Sequence, residues 1–175
     1  MTVEKNSRIG GVITVTLDQS SKNQEWMIME KTDNQSLKML IPKEKIPIRI
    51  SFMKSSGFPI VVSLWYTHEN GKIYCAVQKT AKVISYIQKN PKCGFEIAGD
   101  MPPYKGLRGE GTVKILHDKG KEVLETLIEK YLGGKESTLS KFLRDNSKNE
   151  VAIEIIPQKT HSYDYSKRMK DVIVV

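Results

Sequence analysis

The 175-residue sequence has almost no cysteine, few aromatic residues, no long apolar run and no block of like charge. Its two cysteines, Cys75 and Cys93, form neither a C-x-x-C pair nor a cluster spaced like metal ligands, so no metal site is expected. Aromatics make up only 7% of the chain and do not interleave with basic residues into a stacking platform, which argues against a nucleic-acid partner. No stretch approaches the ~18 apolar residues of a membrane-spanning helix, so no membrane partner is expected. The opening MTVEKNSRIGG lacks the apolar core of a secretory leader. The expectation is a cytoplasmic protein whose thiols stay reduced and pack as small hydrophobes. Also missing are a Ser-His-Asp set, an HExxH motif, a Walker loop and the Gly-rich turn of a dinucleotide fold.

What is present is a basic surplus. Lys plus Arg outnumber Asp plus Glu by 28 to 20, and an excess of that size suits an anionic partner (nucleic acid, a membrane surface or a phosphorylated small molecule) or serves solubility alone. The first 45 residues read as an N-terminal extension, with candidate strands in GGVITVTL (10–17) and EWMIME (25–30). From residue 46 the pattern is that of one domain running to 175. IRISFMK alternates like a half-buried strand, and SSG is a turn. FPIVVSLWYTH and KIYCAV flank Glu69-Asn70-Gly71-Lys72, so residues 58–77 are expected to form a β-hairpin. KCGFEIAG, GEGTVKIL and EVAIEIIP read as further strands. DKGKEVLETLIEKYLGG reads as an amphipathic helix ended by Gly133-Gly134, and a short helix is expected near 137–143. Hairpin-joined strands with helices in the longer connections point to a mainly β fold, an antiparallel split barrel with peripheral helices.

Three segments carry candidate chemistry. In YCAVQKTAKVISYIQKNP (74–91) a strand runs into a helix, with Thr80 expected as N-cap and Pro91 closing the helix. Lys79, Thr80 and Lys82 would put two ammonium groups and a hydroxyl on a helix end that is already partly positive, which suits a phosphate. GDMPPYKGLRGEG (99–111) reads as a proline-constrained loop carrying Tyr104 and Arg108. THSYDYSKRM (160–169) carries His161 and Asp164, for which a structural hydrogen bond is the expected role, and Lys167 and Arg168, placed to reach an anion across a subunit boundary.

The run FPIVVSLWYTHENGKIYCAV, the Thr/Lys helix start and NPKCGFEI resemble the pyridoxamine 5′-phosphate oxidase-like family of flavin-binding split barrels. PPYKGLRGEGTVKI, EKYLGG, VAIEIIP and SYDYSKRM resemble a subgroup of it that includes deazaflavin-binding relatives. The resemblance covers roughly 48–169. It implies a homodimer with a flavin in each of two clefts between subunits. Backbone of Val61, Val62, Ser63 and Leu64 would meet the ring, Tyr74, Ala76 and Val77 would line the cleft, and Lys79, Thr80 and Lys82 would hold the phosphate. The family lysine stands eight residues before the proline, whereas Lys82 stands nine before Pro91, so Lys79 and Lys82 remain alternative ligands. The Arg-rich C-terminal segment of true pyridoxamine phosphate oxidases is missing; only Lys167, Arg168 and Lys170 could play its part. The implied activity is FMN-dependent hydride transfer on a small molecule, with Trp65, Tyr104 and Arg108 lining the substrate cleft and the difficult chemistry left to the cofactor. Alternatives are a deazaflavin-dependent reductase and a non-catalytic flavin or haem carrier or sensor.

Overall fold

The computed structural model describes residues 27–29 and 45–171. The candidate strand at 10–17 and most of the N-terminal extension lie outside the described residues. Met27–Met29 forms β1, within the strand expected at 25–30. The remaining strands are β2 (Ile48–Met53), β3 (Pro59–Leu64), β4 (Thr67–Glu69), β5 (Lys72–Gln78), β6 (Lys92–Ala98), β7 (Lys105–Leu116) and β8 (Glu150–Asp164). The helices are α1 (Lys82–Lys89), α2 (Gly120–Leu132) and α3 (Thr138–Asp145), with a 3-10 turn at Ser147–Asn149. The strands form one antiparallel sheet in the order β3-β2-β6-β7-β8-β5-β4, and β1 adds to β8 at Thr160–Ser162. This is a mainly β, antiparallel split barrel with peripheral helices.

Period-two alternation builds the interior. Ile48, Ile50 and Phe52 of β2, Ile73 and Cys75 of β5, Phe95 and Ile97 of β6, and Ile153 and Ile155 of β8 turn inward and are almost fully buried. α1 packs Val83, Ile84 and Ile87 into the same core. Burying one such side chain contributes about 1.5–3 kcal/mol. On the outside, Val123 and Leu127 of α2 cluster with Ala152 of β8, joined by Trp65, Tyr74, Ala76, Leu116 and Tyr131. α2 ends in the left-handed Gly133, and α3 begins on a Ser137–Ser140 capping box.

The hairpin expected over 58–77 is two elements. Asn70 (φ 50°) and Gly71 (φ 74°) do make a tight turn, but it joins β4 to β5, with Glu69 opposite Lys72. β3 pairs instead with β2, across a turn in which the Gly57 N–H donates to the Lys54 carbonyl at 3.0 Å. The long apolar run breaks at Trp65-Tyr66 because α2 takes over the backbone there. The Tyr66 N–H donates to the Tyr131 hydroxyl (3.3 Å), and the Tyr66 carbonyl accepts from Lys130 Nζ (2.9 Å). The loop expected at 99–111 is shorter, since β7 already starts at Lys105 and carries Arg108 within the sheet.

Candidate functional site at the split

The sheet leaves two edges open. Among the described residues β3 pairs only with β2, so one row of its N–H and C=O groups has no strand partner. β4 covers β5 only at Lys72–Tyr74, so Cys75–Gln78 has a neighbour on one side alone. Ile60, Val62 and Leu64 of β3 pack against the core that contains Cys75 and Val77 of β5, which closes the interior although the edges do not pair. The barrel is split there.

At the foot of β5 the chain turns a corner. Gln78 opposite Glu150 is the last rung of the β5–β8 ladder. The Lys79 N–H donates to the Asn149 carbonyl at 2.8 Å, and the Ala81 N–H donates to the Gln78 carbonyl at 2.8 Å. The N-cap of α1 is therefore Ala81, with no side-chain cap; Thr80, expected to cap it, is exposed in the turn before it. The reason is the turn closed from Gln78 to Ala81, which delays the helix to Lys82. The first turn of α1 has no acidic residue, so its free N–H groups stay unneutralised. Lys79 and Lys82 are exposed, and among the described residues neither has an ion-pair partner.

A groove of about 730 Å³ crosses the outer face of the sheet and reaches Val61 on β3. Cross-strand registry makes its floor. Arg49, Glu96, Arg108 and His161 lie side by side on β2, β6, β7 and β8, and Gly94 leaves a hollow next to Ser51 and Glu110. Arg49 pairs with Asp100 and donates to the Ala98 carbonyl at 3.3 Å. The Tyr163 hydroxyl donates to Glu96 Oε1 at 2.8 Å, and the Arg108 guanidinium lies 5.6 Å from the centre of the Tyr163 ring. Burial, with the Glu96 carboxylate, pushes the Tyr163 hydroxyl up to about 12. Burial, with Lys159 and Arg108, holds the His161 imidazole below its ordinary value.

The structure brings some of the expected residues together and separates others. Val61 and Arg108 line the same groove. Ser63 shares the outer face of β3 with Val61, while Val62 and Leu64 face the core. Tyr74 and Ala76 pack towards α2, Val77 faces the interior, and Trp65 lies stacked on Tyr131 (ring centres 4.8 Å apart, planes 4° apart). Tyr104 is exposed beside the turn after β8, where the Tyr165 N–H donates to its carbonyl at 2.9 Å, and Lys167 and Arg168 are exposed in that turn. The Lys79 corner adjoins the start of β8 and Tyr104 its end. Sequence reading missed Arg49, Glu96, Lys159 and Tyr163, although outward alternation in IRISFM and KCGFEIA marks the first two.

No protein-family model and no curated protein matches the chain. Solved structures do. A conserved hypothetical protein from Mycobacterium tuberculosis is 19% identical (TM-score 0.63), with 76% of this chain and 86% of that one covered. An F420 reductase is 17% identical (TM-score 0.57; 67% and 90%). A general stress protein 26-related protein of the pyridoxinephosphate oxidase family, from Clostridium acetobutylicum, is 18% identical (TM-score 0.52; 70% and 81%). The chain has the split-barrel fold of the pyridoxamine 5′-phosphate oxidase-like proteins. No helix among the described residues is long and apolar enough to cross a membrane.

Proposed function

We propose that this protein is a flavin-binding oxidoreductase acting on a small molecule at a site completed by a second copy of the chain. Three features support the reading: the open β3 edge, the Lys79–Lys82 corner with no acidic residue in the first turn of α1, and a groove whose lining includes Val61 of β3. The donor set suits a planar ring with a phosphate. Backbone groups of Val61 to Leu64 would hold the polar edge of the ring, and the α1 N-terminus with Lys79 and Lys82 would hold the phosphate. FMN fits this description; the F420 reductase of like fold gives a deazaflavin the same standing. The bound ring would supply hydride transfer. The protein's part is to orient the ring, exclude water and offer Arg108 and the neutral side of His161 to a substrate in the groove. In this reading the protein is a homodimer: Tyr104, Lys167 and Arg168 lie by the end of β8 away from the corner, and a partner subunit would bring its own copies of them there.

The test is titration of the purified protein with FMN and a deazaflavin, followed by fluorescence and by the oxidised and reduced spectra. Binding at micromolar concentration or below, with reversible reduction, is the expected result. Failure of every ring cofactor to bind would overturn the reading, and binding without turnover of any reductant would leave the carrier role in its place.

A further inference from the structure

We propose that the groove on the outer face of the sheet binds a small organic carboxylate. Its apolar body would lie over a hollow at Gly94, and its carboxylate would lie by Arg108, Lys159 and His161. This names a substrate class and rests, for its place in a reaction, on the reading of the groove as the substrate site; its test needs no cofactor.

Gly94 is a glycine that packing does not require. It lies inside β6, between β2 and β7, and its φ is not positive. A Cβ built there would meet only the Gly109 carbonyl oxygen, at 3.9 Å, which is ordinary contact. On the adjoining β7, a Cβ at Gly106, Gly109 or Gly111 would come within 2.7 Å of a neighbouring atom. Glycine inside a strand costs about 0.5–1 kcal/mol relative to alanine, and without strain or crowding to explain it, it marks close approach by another molecule. What the missing side chain leaves is room. Gly94 stands opposite the small Ser51 of β2, and Ser51 stands opposite Val61 of β3. Val61 is 62% exposed and lines the same groove, which gives the hollow an apolar wall. The volume of about 730 Å³ lies within the ~300–1,000 Å³ of small-molecule sites.

Charge is spread unevenly along the groove. Arg49 is matched by Asp100, and Glu96 accepts from the Tyr163 hydroxyl. Further along, Arg108 stands opposite His161 and Glu110 opposite Lys159 in the β7–β8 ladder. Although they are cross-strand neighbours, Glu110 and Lys159 form no ion pair with each other. The His161 ring feels all three charges: burial, Lys159 and Arg108 lower its pKa, Glu110 opposes them, and the net direction is down. Two cations against one carboxylate leave one net positive charge at this end, which a monoanion matches. A carboxylate also fits the guanidinium fork through two parallel N–H···O bonds, and the neutral imidazole has one N–H to add.

The full chain, without cofactor, is titrated with 2-naphthoate, 2-naphthamide and 2-naphthylmethylamine, which share one ring body and differ in charge. Backbone amide resonances of Gly94, Gly109 and Glu110 report the contact. Naphthoate is expected to shift them saturably and to bind roughly tenfold or more tightly than the amide, and the amine to give no saturable shift. Lys159→Gln should weaken naphthoate about fivefold or more, while Lys121→Gln, at an exposed lysine of α2, should change it less than about twofold. Gly94→Val fills the hollow and should weaken both naphthoate and naphthamide roughly tenfold. Gly94→Ala, whose methyl has room, should weaken them in the same direction and melt no lower than the parent, which keeps the test open if valine disturbs the sheet. Equal affinity for all three probes, equal losses from Lys121→Gln and Lys159→Gln, or unchanged binding in both Gly94 variants would overturn the proposal. So would resonances that shift on dilution and with no probe, which would make the groove a contact between copies of the chain. Flavin binding is measured separately. Flavin bound with naphthoate unbound removes this proposal alone, and naphthoate bound with flavin unbound removes the oxidoreductase reading alone.

Discussion

The Trp65 ring lies flat on Tyr131, with centres 4.8 Å apart and planes within 4°. The Tyr131 hydroxyl in turn donates to the Ile46 carbonyl at 2.8 Å, so the pair ties α2 to the chain segments on either side of β2 and β3. A ring in that position is engaged in packing. Trp65→Ala is expected to lose about 2–4 kcal/mol of unfolding free energy in urea, from the missing burial and the missing stack. Trp65→Phe is expected to recover at least half of that loss. The folded Trp65→Phe variant should bind its cofactor and turn over as the parent does. A selective loss of substrate affinity in Trp65→Phe, with stability unchanged, would show that Trp65 also lines the cleft.

Gly109 shows how tightly β6 and β7 are matched. A Cβ at this position would come within 2.8 Å of Phe95 Cζ and would also meet the Lys159 backbone carbonyl. The Phe95 ring therefore lies over the strand where no side chain stands. Gly109→Ala is expected to cost about 1–3 kcal/mol in urea unfolding, since Phe95 or the β8 backbone must shift. The double variant Gly109→Ala/Phe95→Leu should cost less than the sum of the two single changes, because the shorter side chain removes one of the clashes.

His161 gives a pH dependence with a defined sign. Its pKa is lowered on folding, chiefly by burial and then by Lys159 and Arg108, with Glu110 opposing. The unfolded chain therefore binds this proton more readily than the folded one. The contribution of His161 to stability is complete above its unfolded value near 6.5 and is lost as pH falls from there towards the folded pKa. NMR titration of the folded protein should place His161 below 6.5. In His161→Gln this share of the fall in stability below pH 6.5 should vanish. A folded-state value above 6.5 would contradict the sign.

Strand periodicity is a local property, and it made most of the sheet legible. IRISFM, KCGFEIA and EVAIEII alternate in sequence and are buried in alternation in the fold. The split of FPIVVSLWYTH was not legible, because it depends on Lys130 and Tyr131, more than sixty residues away, capturing the backbone of Tyr66. Thr80 has the right chemistry for a cap, but a turn closed by Ala81 on Gln78 decides where α1 starts. The groove escaped for a similar reason. Arg49, Glu96, Arg108 and His161 come from four strands, and only sheet registry puts them in one row.

The Lys79–Lys82 corner allows stability and binding to be separated. The N-cap is Ala81 and Thr80 is exposed, so Thr80→Ala is expected to change unfolding free energy by less than about 0.5 kcal/mol, where loss of a side-chain cap would cost ~1 kcal/mol. Lys82 opens the helix without an ion-pair partner among the described residues, so Lys82→Ala should likewise leave stability nearly unchanged. Cofactor affinity is expected to behave differently. A charge-assisted hydrogen bond contributes ~1.5–3 kcal/mol, so Lys82→Ala should weaken FMN roughly ten- to a hundredfold and leave riboflavin, which lacks the phosphate, within about twofold. Thr80→Ala should weaken FMN more mildly. Lys79 lies on the turn that the 3-10 turn before β8 braces through Asn149, and if Lys79→Ala removes FMN binding while Lys82→Ala does not, the phosphate sits against the turn and not over the helix axis. Equal losses for FMN and riboflavin in both lysine variants, measured by fluorescence titration at fixed salt, would mean that the corner contacts the ring or shapes the fold, and the phosphate would have to be sought elsewhere.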